Sequence, residues 1–284
     1  MFPTRSIENK IIRLFSENRP FSEHLTKWED PALPDKYDQN FFEYSAQPSE
    51  EEFRAALAYQ RSRGASFLKL EGDEPLQNAF GLDESVTLTM VLTGDFNRWQ
   101  GNPLATFRRP ELGELERLEQ KHFGPIYGED FTIRNIRRQY NHLDYIGAYL
   151  DGALAGACWC FAADGYACID GLVVDEGFRR QGVATALLKH LAARAARAGN
   201  RVFLHADADD TPREMYEKLG FSVADRLYEY LRTDLAPTGP GPGQSCRIGA
   251  ERLYRKLGFL PTGRRRRTGG AWEEVELARC GTSL

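Results

Sequence analysis

The spacing of apolar residues in the second half of the chain predicts strands first and a helix after them. Residues 144–150, 153–163 and 166–174 are apolar and β-rich, and an Asp-Gly pair separates each run from the next. This pattern predicts three successive antiparallel strands joined by tight turns. From Val183 to Ala195 the apolar residues recur at helical spacing, and Gly199 follows as a helix stop. The pattern predicts an amphipathic helix there.

The segments around this core extend the same domain. Residues 201–206 are a short β-rich run, so the order strand, helix, strand predicts two parallel strands. Thr211 and Pro212 predict the start of a further helix, and Gly220 its end. The remaining predicted elements are the last strands at 221–232, a strand at 104–108, and helices at 111–122 and 129–140. The predicted fold class is α+β, a mixed α/β sheet with helices on both sides.

The first hundred residues show a fainter version of this order. We predict strands at 41–44, 66–72 and 85–93, a helix from its cap Ser49 to Arg63, and a short helix at 75–81. The link into the Ser49 helix contains Gln47 and Pro48 and no Gly-rich turn. This region repeats the second half of the main domain without its loop.

A run of alternating Pro and Gly at 236–245 predicts a linker, because it disfavours both helix and sheet. Beyond it, residues 254–259 repeat the Tyr-x-Lys-Leu-Gly-Phe hexapeptide of residues 216–221, and a strand is expected at 272–278. The predicted organisation is an N-terminal domain at 1–103, a main domain at 104–234, a linker at 235–247 and an extension at 248–284.

Composition narrows the classes of function. The formal charge of −4 argues against nucleic acid as a partner. Five cysteines without a CxxC pair and five scattered histidines predict neither a disulfide framework nor a metal site. No apolar run is long enough for a bilayer span, and the N-terminus lacks a secretory signal pattern. We therefore expect a cytoplasmic protein that contacts neither membranes nor nucleic acid.

Residues 171–185 carry the most specific chemistry. A strand runs into a turn whose next residues begin a helix, so several backbone N–H groups lack a partner within the helix and attract an anion. Gly182 and Ala184 allow a pyrophosphate to approach the backbone closely, and Arg179 and Arg180 add positive charge. The pattern predicts a phosphate-binding loop.

This loop resembles the signature of the GNAT superfamily of acyltransferases, in which an Arg or Gln is followed after two residues by Gly and then, after one more, by Gly or Ala. Arg179, Gly182 and Ala184 stand at those positions. The resemblance implies acetyl-coenzyme A as cosubstrate and a bulged strand that splays from its parallel neighbour, with the backbone of Val173 and Val174 facing the pantetheine. The binding residues it implies are Val173, Val174, Arg179, Arg180, Gln181, Gly182, Val183, Ala184 and Thr185.

The resemblance also implies catalytic roles. Tyr216 stands where relatives carry a Tyr that protonates the leaving thiolate, although it could instead be a helix residue packed on the sheet. Asp170 is the first candidate for the base that takes the amine proton, with an exposed position on the other face as the alternative. Cys168 occupies a position where some relatives place a catalytic Glu, and His205 is either a base or an ordinary strand residue.

The predicted function is transfer of an acetyl group from acetyl-coenzyme A to a primary amine on a small molecule or peptide, with a homodimer possible. On this interpretation the N-terminal domain is a degenerate half-GNAT unit that packs against the main domain and walls its cleft. Two alternatives stay open: a non-catalytic acyl-coenzyme A sensor, which the missing Glu at Cys168 allows, and a structural module that has lost its ligand.

Overall fold

A computed structural model describes residues 4–208, 212–233, 235, 265–268 and 271–274. The chain divides into two compact units, Met1–Arg247 and Ile248–Leu284. The boundary expected after residue 103 lies within the first unit, and that subdivision stays a prediction. The helices of the first unit are α1 (Thr4–Ile12), α2 (Glu50–Ser62), α3 (Leu112–Tyr127), α4 (Glu129–Tyr140), α5 (Val183–Arg197) and α6 (Pro212–Lys218). In the described ranges no helix combines the length and the apolar character needed to span a membrane.

One mixed sheet organises the first unit. Its strands are β1 (Glu17–Pro20), β2 (Leu25–Glu29), β3 (Phe42–Tyr44), β4 (Leu68–Gly72), β5 (Asp83–Leu92), β6 (Thr106–Arg108), β7 (Asp144–Leu150), β8 (Ala153–Ala163), β9 (Tyr166–Val174), β10 (Arg201–Asp207) and β11 (Phe221–Arg232). Their spatial order is β1-β2-β3-β4-β11-β5-β10-β9-β8-β7-β6. This mixed sheet, with helices packed on it, confirms the predicted α+β class.

Two strand, helix, strand units lie within this sheet. In each unit the two strands are parallel: β3 with β4 around α2, and β9 with β10 around α5. Strand β11, which follows the unit of β9, α5 and β10 in the chain, pairs with β4 of the other unit. Strand β5, which follows the unit of β3, α2 and β4, pairs with β10. Strands β5 and β11 then pair with each other over their length. The N-terminal and main segments are therefore joined by backbone hydrogen bonds in one continuous sheet.

The local turn predictions are confirmed. Strands β7, β8 and β9 are consecutive and antiparallel, with the bounds expected from the sequence. Both Asp-Gly turns adopt left-handed backbone angles, with φ of 49° and 80° at Asp151 and Gly152 and of 52° and 78° at Asp164 and Gly165. Asp and Gly tolerate these angles better than other residues, which is why the pair marks a hairpin.

The short helix expected at residues 75–81 is absent from the structure, so this prediction was wrong. Several amides of this segment are bonded to side chains instead, including that of Phe80, which a helix would pair with a carbonyl four residues earlier. The Leu76 amide donates to the Tyr230 hydroxyl at 2.9 Å, and the Gln77 amide donates to Gln47 Oε1 at 2.8 Å. Asn78 Oδ1 accepts the Phe80 amide in the same way. Such local side-chain bonds compete directly with helix formation.

Hydrophobic cores lie on both faces of the sheet. On one face, α5 buries Leu187 and Leu191 against Ile169 of β9. On the other face, Leu115 and Leu118 of α3 are buried in a cluster that includes Cys168 and Phe203. Helix α1 adds Ile7 to this second cluster. Neither α1 nor the hairpin of β1 and β2 was predicted from the sequence.

In the second unit, the described residues form an antiparallel pair of strands, β12 (Arg265–Thr268) and β13 (Ala271–Glu274). The strand expected at 272–278 is thus present over 271–274, and its remainder lies outside the described residues. The predicted linker and the repeated hexapeptide at 254–259 also lie outside them, apart from Leu235.

Candidate active site

The parallel strands β9 and β10 separate partway along their length. They pair from Tyr166 and Arg201 to Ile169 and Leu204, and no further pair joins them in the described chain. Beyond this point β10 still pairs with β5, where His205 lies opposite Thr89. A gap therefore opens between β9 and β10 at Asp170 and His205.

A bulge in β9 lies at the point where the gap opens. Ala157 of β8 lies opposite Val173, whereas Trp159 lies opposite Asp170, so β9 has one extra residue between these pairs. Gly171 has a φ of 63°, a left-handed angle that favours glycine. A Cβ at Gly171 would lie 2.6 Å from Trp159 Nε1. The bulge therefore depends on glycine for both its angle and its space.

The expected bulge and splay are thus both present. Val173 is buried, Val174 is half-buried, and both follow the bulge on the stretch of β9 that borders the gap. Antiparallel pairing with β8 satisfies one edge of this stretch. In the described chain the other edge has no strand partner, so its polar groups, apart from the Val174 carbonyl that accepts from Arg179 Nε, are available to an extended ligand.

The predicted phosphate loop leads from β9 into α5. Arg180 and Gly182 both have left-handed angles, with φ of 60° and 76°, and they alternate with residues in other conformations. Such alternation turns successive amides toward one point and forms an anion-binding concavity. Helix α5 has no side-chain cap, and among the described residues the amides of Val183, Ala184 and Thr185 have no acceptor. The loop and the helix start together provide unpaired donors for an anion.

Asn102 supports the loop from outside. Its amide donates to the Gly182 carbonyl at 3.1 Å, and its side-chain Nδ2 donates to the Gln181 carbonyl at 2.9 Å. A Cβ at Gly182 would lie 3.0 Å from the Asn102 nitrogen. Sequence reasoning missed Asn102, because a contact across 79 residues leaves no local pattern.

The two arginines of the loop differ in their surroundings. Arg179 turns back toward β9, with Nε donating to the Val174 carbonyl at 3.4 Å and Nη2 lying 3.3 Å from His122 Nδ1. Burial lowers the pKa of His122 and the Arg179 charge lowers it further, so this imidazole stays neutral and accepts from Arg179. Arg180 is exposed and has no side-chain partner in the described residues. Its charge is therefore available to a ligand.

A cavity of about 430 Å³ meets the gap on the α3 face of the sheet. Asp170, Gly171 and His205 line it where the strands part, and α1 and α3 contribute Glu8 and Glu119. Burial raises the pKa of Asp170, although His205 opposes this shift. Burial also raises the pKa of Glu119 to about 7. The carboxylates of Asp170 and Glu119 are therefore more basic than ordinary ones.

His205 and Cys168 lie in the same region as Asp170, but they interact with each other, and His205 also contacts Glu8. Nε2 of His205 lies 2.7 Å from Glu8 Oε1. Burial lowers the pKa of His205, but the contacts with Cys168 and Glu8 have the larger effect and raise this pKa well above its usual range. Burial raises the pKa of the Cys168 thiol to about 11. At neutral pH neither group is a ready proton acceptor.

The structure does not bring Tyr216 and Asp170 into the same cavity. Tyr216 is 9% exposed and packs edge-on against Phe221, with ring centroids 5.9 Å apart, in the core on the α5 face. Asp170 lines the cavity on the other face. The two side chains therefore lie on opposite sides of the sheet, and their catalytic roles stay predictions.

Glu119 is one of the residues of this cavity that sequence reasoning missed. Its helix was predicted at 111–122, and the structure buries Leu115, Leu118 and His122 along one side of that helix. Position 119 lies four residues after Leu115 and three before His122, which places it beside this buried stripe. A carboxylate at such a position was a signal the sequence offered.

Comparison with known proteins gives matches at the level of family and fold. Residues 112–221 match the profile of the Acetyltransferase (GNAT) family. A search of curated proteins finds no match. A conserved protein of unknown function from Staphylococcus epidermidis is 17% identical, with 79% of this chain and 97% of that chain covered and a TM-score of 0.66.

Two similar structures carry a family description. A GCN5-related N-acetyltransferase from Kribbella flavida is 15% identical, with 80% of this chain and 93% of that chain covered and a TM-score of 0.57. Another from Sphaerobacter thermophilus is 15% identical, with 81% of this chain and 86% of that chain covered and a TM-score of 0.51. At these identities the likeness concerns the fold alone. The family profile, which falls on the segment that holds the bulge, the gap and the loop, identifies residues 112–221 as an acetyltransferase domain of the GNAT family.

Proposed function

We propose that the protein transfers an acetyl group from acetyl-coenzyme A to the primary amine of an acceptor. The GNAT-family domain at residues 112–221 supports acyl transfer as the class of reaction. The observation that carries the proposal is the continuity of three features: the β9 bulge at Gly171, the gap beyond Ile169, and the uncapped start of α5. Together they provide an extended backbone edge that leads to an anion site.

The chemistry of coenzyme A fits these residues. The unpaired amides of Val183, Ala184 and Thr185 and the exposed Arg180 suit a pyrophosphate, whose charge the helix dipole also favours. The gap-facing edge near Val173 and Val174 suits the amide groups of a pantetheine chain. When bound, acetyl-coenzyme A supplies the activated acetyl thioester.

The residues of the chain would then act around this thioester. Backbone N–H groups at the gap would stabilise negative charge on the carbonyl oxygen, which is the usual largest contribution in acyl transfer. A carboxylate of the cavity beside the gap would accept the amine proton, and both Asp170, the candidate from the sequence, and Glu119 line that cavity. Tyr216, whose ring lies on the α5 face, would donate a proton to the leaving thiolate.

Calorimetric titration with acetyl-coenzyme A tests the cofactor site. Arg180→Glu reverses an exposed charge at the loop, and we expect the dissociation constant to rise at least tenfold, equivalent to about 1.4 kcal/mol. Arg197→Glu makes the same change at the exposed far end of α5 and is the matched control. We expect near wild-type binding from it.

The outcomes separate the alternatives. Equal weakening in both variants would mean general electrostatic attraction rather than a site at the loop, and no binding by the wild type would overturn the proposal. Binding without thiol release across a broad set of amines would favour the acyl-coenzyme A sensor instead.

A further inference from the structure

The cavity beside the gap has walls of two kinds. Its apolar side is largely aromatic and aliphatic: Ile11, Ile12, Phe15, Phe123, Leu143, Tyr145 and Trp159. Its polar side holds six carboxylates, those of Glu8, Asp38, Glu71, Glu119, Asp170 and Glu229. Against them stand three Lys or Arg side chains, those of Arg5, Lys36 and Lys69, and His205. The cavity therefore combines an apolar surface with an excess of negative groups.

Most of these charges are compensated by one another. Lys69 Nζ lies 2.6 Å from Glu229 Oε1 and 3.0 Å from Glu71 Oε2. Arg5 also pairs with Glu71, at 2.9 Å. Lys69 further lies 3.4 Å from Asp38. These groups form a connected network of ion pairs, in which the buried Nη2 of Arg5 has no hydrogen-bond partner among the described residues.

Lys36, Glu8 and His205 are likewise occupied. Lys36 Nζ donates to Asn135 Oδ1 at 2.8 Å, and Glu8 lies against His205 at 2.7 Å. An acceptor that carried a carboxylate would add a seventh such group to a cavity whose six carboxylates already outnumber its four basic side chains.

Two of the six carboxylates of the cavity form no ion pair with a described residue. Glu119 has no hydrogen-bond or ion-pair partner among the described residues, and Asp170 accepts only the amide of Gly171, at 2.6 Å. They enter the cavity from opposite elements, α3 and β9, and Asp170 lies at the point where β9 and β10 part. A cationic group beside Asp170 would therefore lie at the edge of the gap.

We propose that this cavity is the acceptor site, that it takes a small primary amine with an apolar body and no carboxylate, and that Glu119 is the catalytic base. This inference rests on the proposed function and names its acceptor class and its proton acceptor. The cavity volume, about 430 Å³, has room for roughly 14 groups of the size of a water molecule at about 30 Å³ each. This suits a small metabolite rather than a folded polypeptide.

In the reaction, the ammonium first loses one proton to the Glu119 carboxylate. The free amine nitrogen forms a bond to the thioester carbon, and the bond between that carbon and sulfur breaks. The second nitrogen proton passes to the leaving thiolate through the groups at the gap. The products are the N-acetyl amine and coenzyme A, and Glu119 releases its proton to solvent.

The basicity of Glu119 suits this role. Burial raises its pKa to about 7, and the nearby Lys36 lowers it only in part. Tyr145 and Asp170 also face this part of the cavity. A base with a pKa near the working pH is the most effective compromise between proton affinity and the fraction deprotonated.

The experiment measures thiol release from acetyl-coenzyme A with three probes: 2-phenylethylamine, phenylalanine and an N-capped lysine peptide. We expect turnover with 2-phenylethylamine and at least tenfold lower kcat/KM with the other two. Glu119→Gln should lower kcat/KM about 100-fold and remove the fall in rate below pH 7, while acetyl-coenzyme A binding stays unchanged. Its melting temperature should not fall, because the change removes an unpaired carboxylate.

Glu116→Gln is the matched control, since Glu116 lies on the same helix but pairs with Arg137 at 2.6 Å and does not line the cavity. Unchanged kcat/KM and pH profile in Glu119→Gln would overturn the role of Glu119. Preference for phenylalanine or the peptide, or no transfer to any probe by a protein that binds acetyl-coenzyme A, would overturn the acceptor class. Absence of acetyl-coenzyme A binding would instead count against the proposed function itself.

Discussion

The two strand, helix, strand units of the sheet share a topology and differ where a phosphate would bind. In the unit of β9, α5 and β10, the helix begins without a side-chain cap and its first amides are unpaired in the described chain. In the unit of β3, α2 and β4, Ser49 accepts the Glu52 amide and Glu52 accepts the Ser49 amide, which completes a capping box. Glu50, Glu51 and Glu52 also place negative charge in the first turn. The second helix start therefore satisfies its own donors and repels an anion.

The strands of the two units differ as well. Between β9 and β10 the gap opens onto a cavity. At the end of β3 and β4, Arg5 of α1 joins Glu43 of β3 to Glu71 of β4, with both distances 2.9 Å. The Tyr44 ring occupies the space that a Cβ on Gly72 would need. The same topology thus leaves an open gap in one unit and forms an ion-paired support in the other.

The largest expected effect comes from breaking that support. Arg5→Met removes the cation that pairs with Glu43 and one of the two that pair with the buried Glu71. Loss of one member of a buried ion-pair network costs about 3 kcal/mol. Burial lowers the pKa of Arg5, but Glu71 and Glu43 outweigh this and raise it, so the charge is firmly held. Urea unfolding should show the loss, and adding Glu71→Gln to Arg5→Met should recover part of it. Purely additive losses would contradict the network.

The next effect concerns the feature that distinguishes β9 from β3. Gly171→Ala places a methyl group 2.6 Å from the Trp159 indole at a left-handed angle, and such strain costs about 2 kcal/mol. We expect it to disturb the bulge and to weaken acetyl-coenzyme A binding. Gly165→Ala is the control, because Gly165 has a φ of 78° but no atom lies within 4 Å of the point where its methyl group would be. It should cost stability without affecting binding, and an equal loss of binding in both variants would show that the bulge has no special role.

Local patterns predicted the local parts of this arrangement. The Asp-Gly turns, the apolar face of α5 and the loop from Arg179 to Ala184 depend on neighbours within a few residues, and the structure has them where the sequence placed them. The pairing of β5 between β10 and β11 was not predictable in this way, because it joins residues more than a hundred positions apart. The cavity depends on the same long-range pairing. Glu119, unlike the rest of the cavity, could be found from a local pattern, because helical spacing places it beside buried residues.

The smallest expected effect concerns the capped start of α2. Contact with Ser22, Ser49 and His24 outweighs burial and lowers the pKa of Glu52. A carboxyl whose pKa is lowered by folding stabilises the folded state at any pH above its pKa in the unfolded chain, about 4.3. This stabilisation is lost progressively as the pH falls below that value. Glu52→Gln should therefore cost on the order of 1 kcal/mol at pH 7, and its difference from the wild type should shrink as the pH falls below about 4. Thermal unfolding between pH 3 and 8 measures this, with the exposed Glu51→Gln as control. Acetyl-coenzyme A binding at pH 7 should be unchanged, because the start of α2 pairs its own backbone donors. A Glu52→Gln protein that gained a second binding site would show that the cap alone distinguishes the two units.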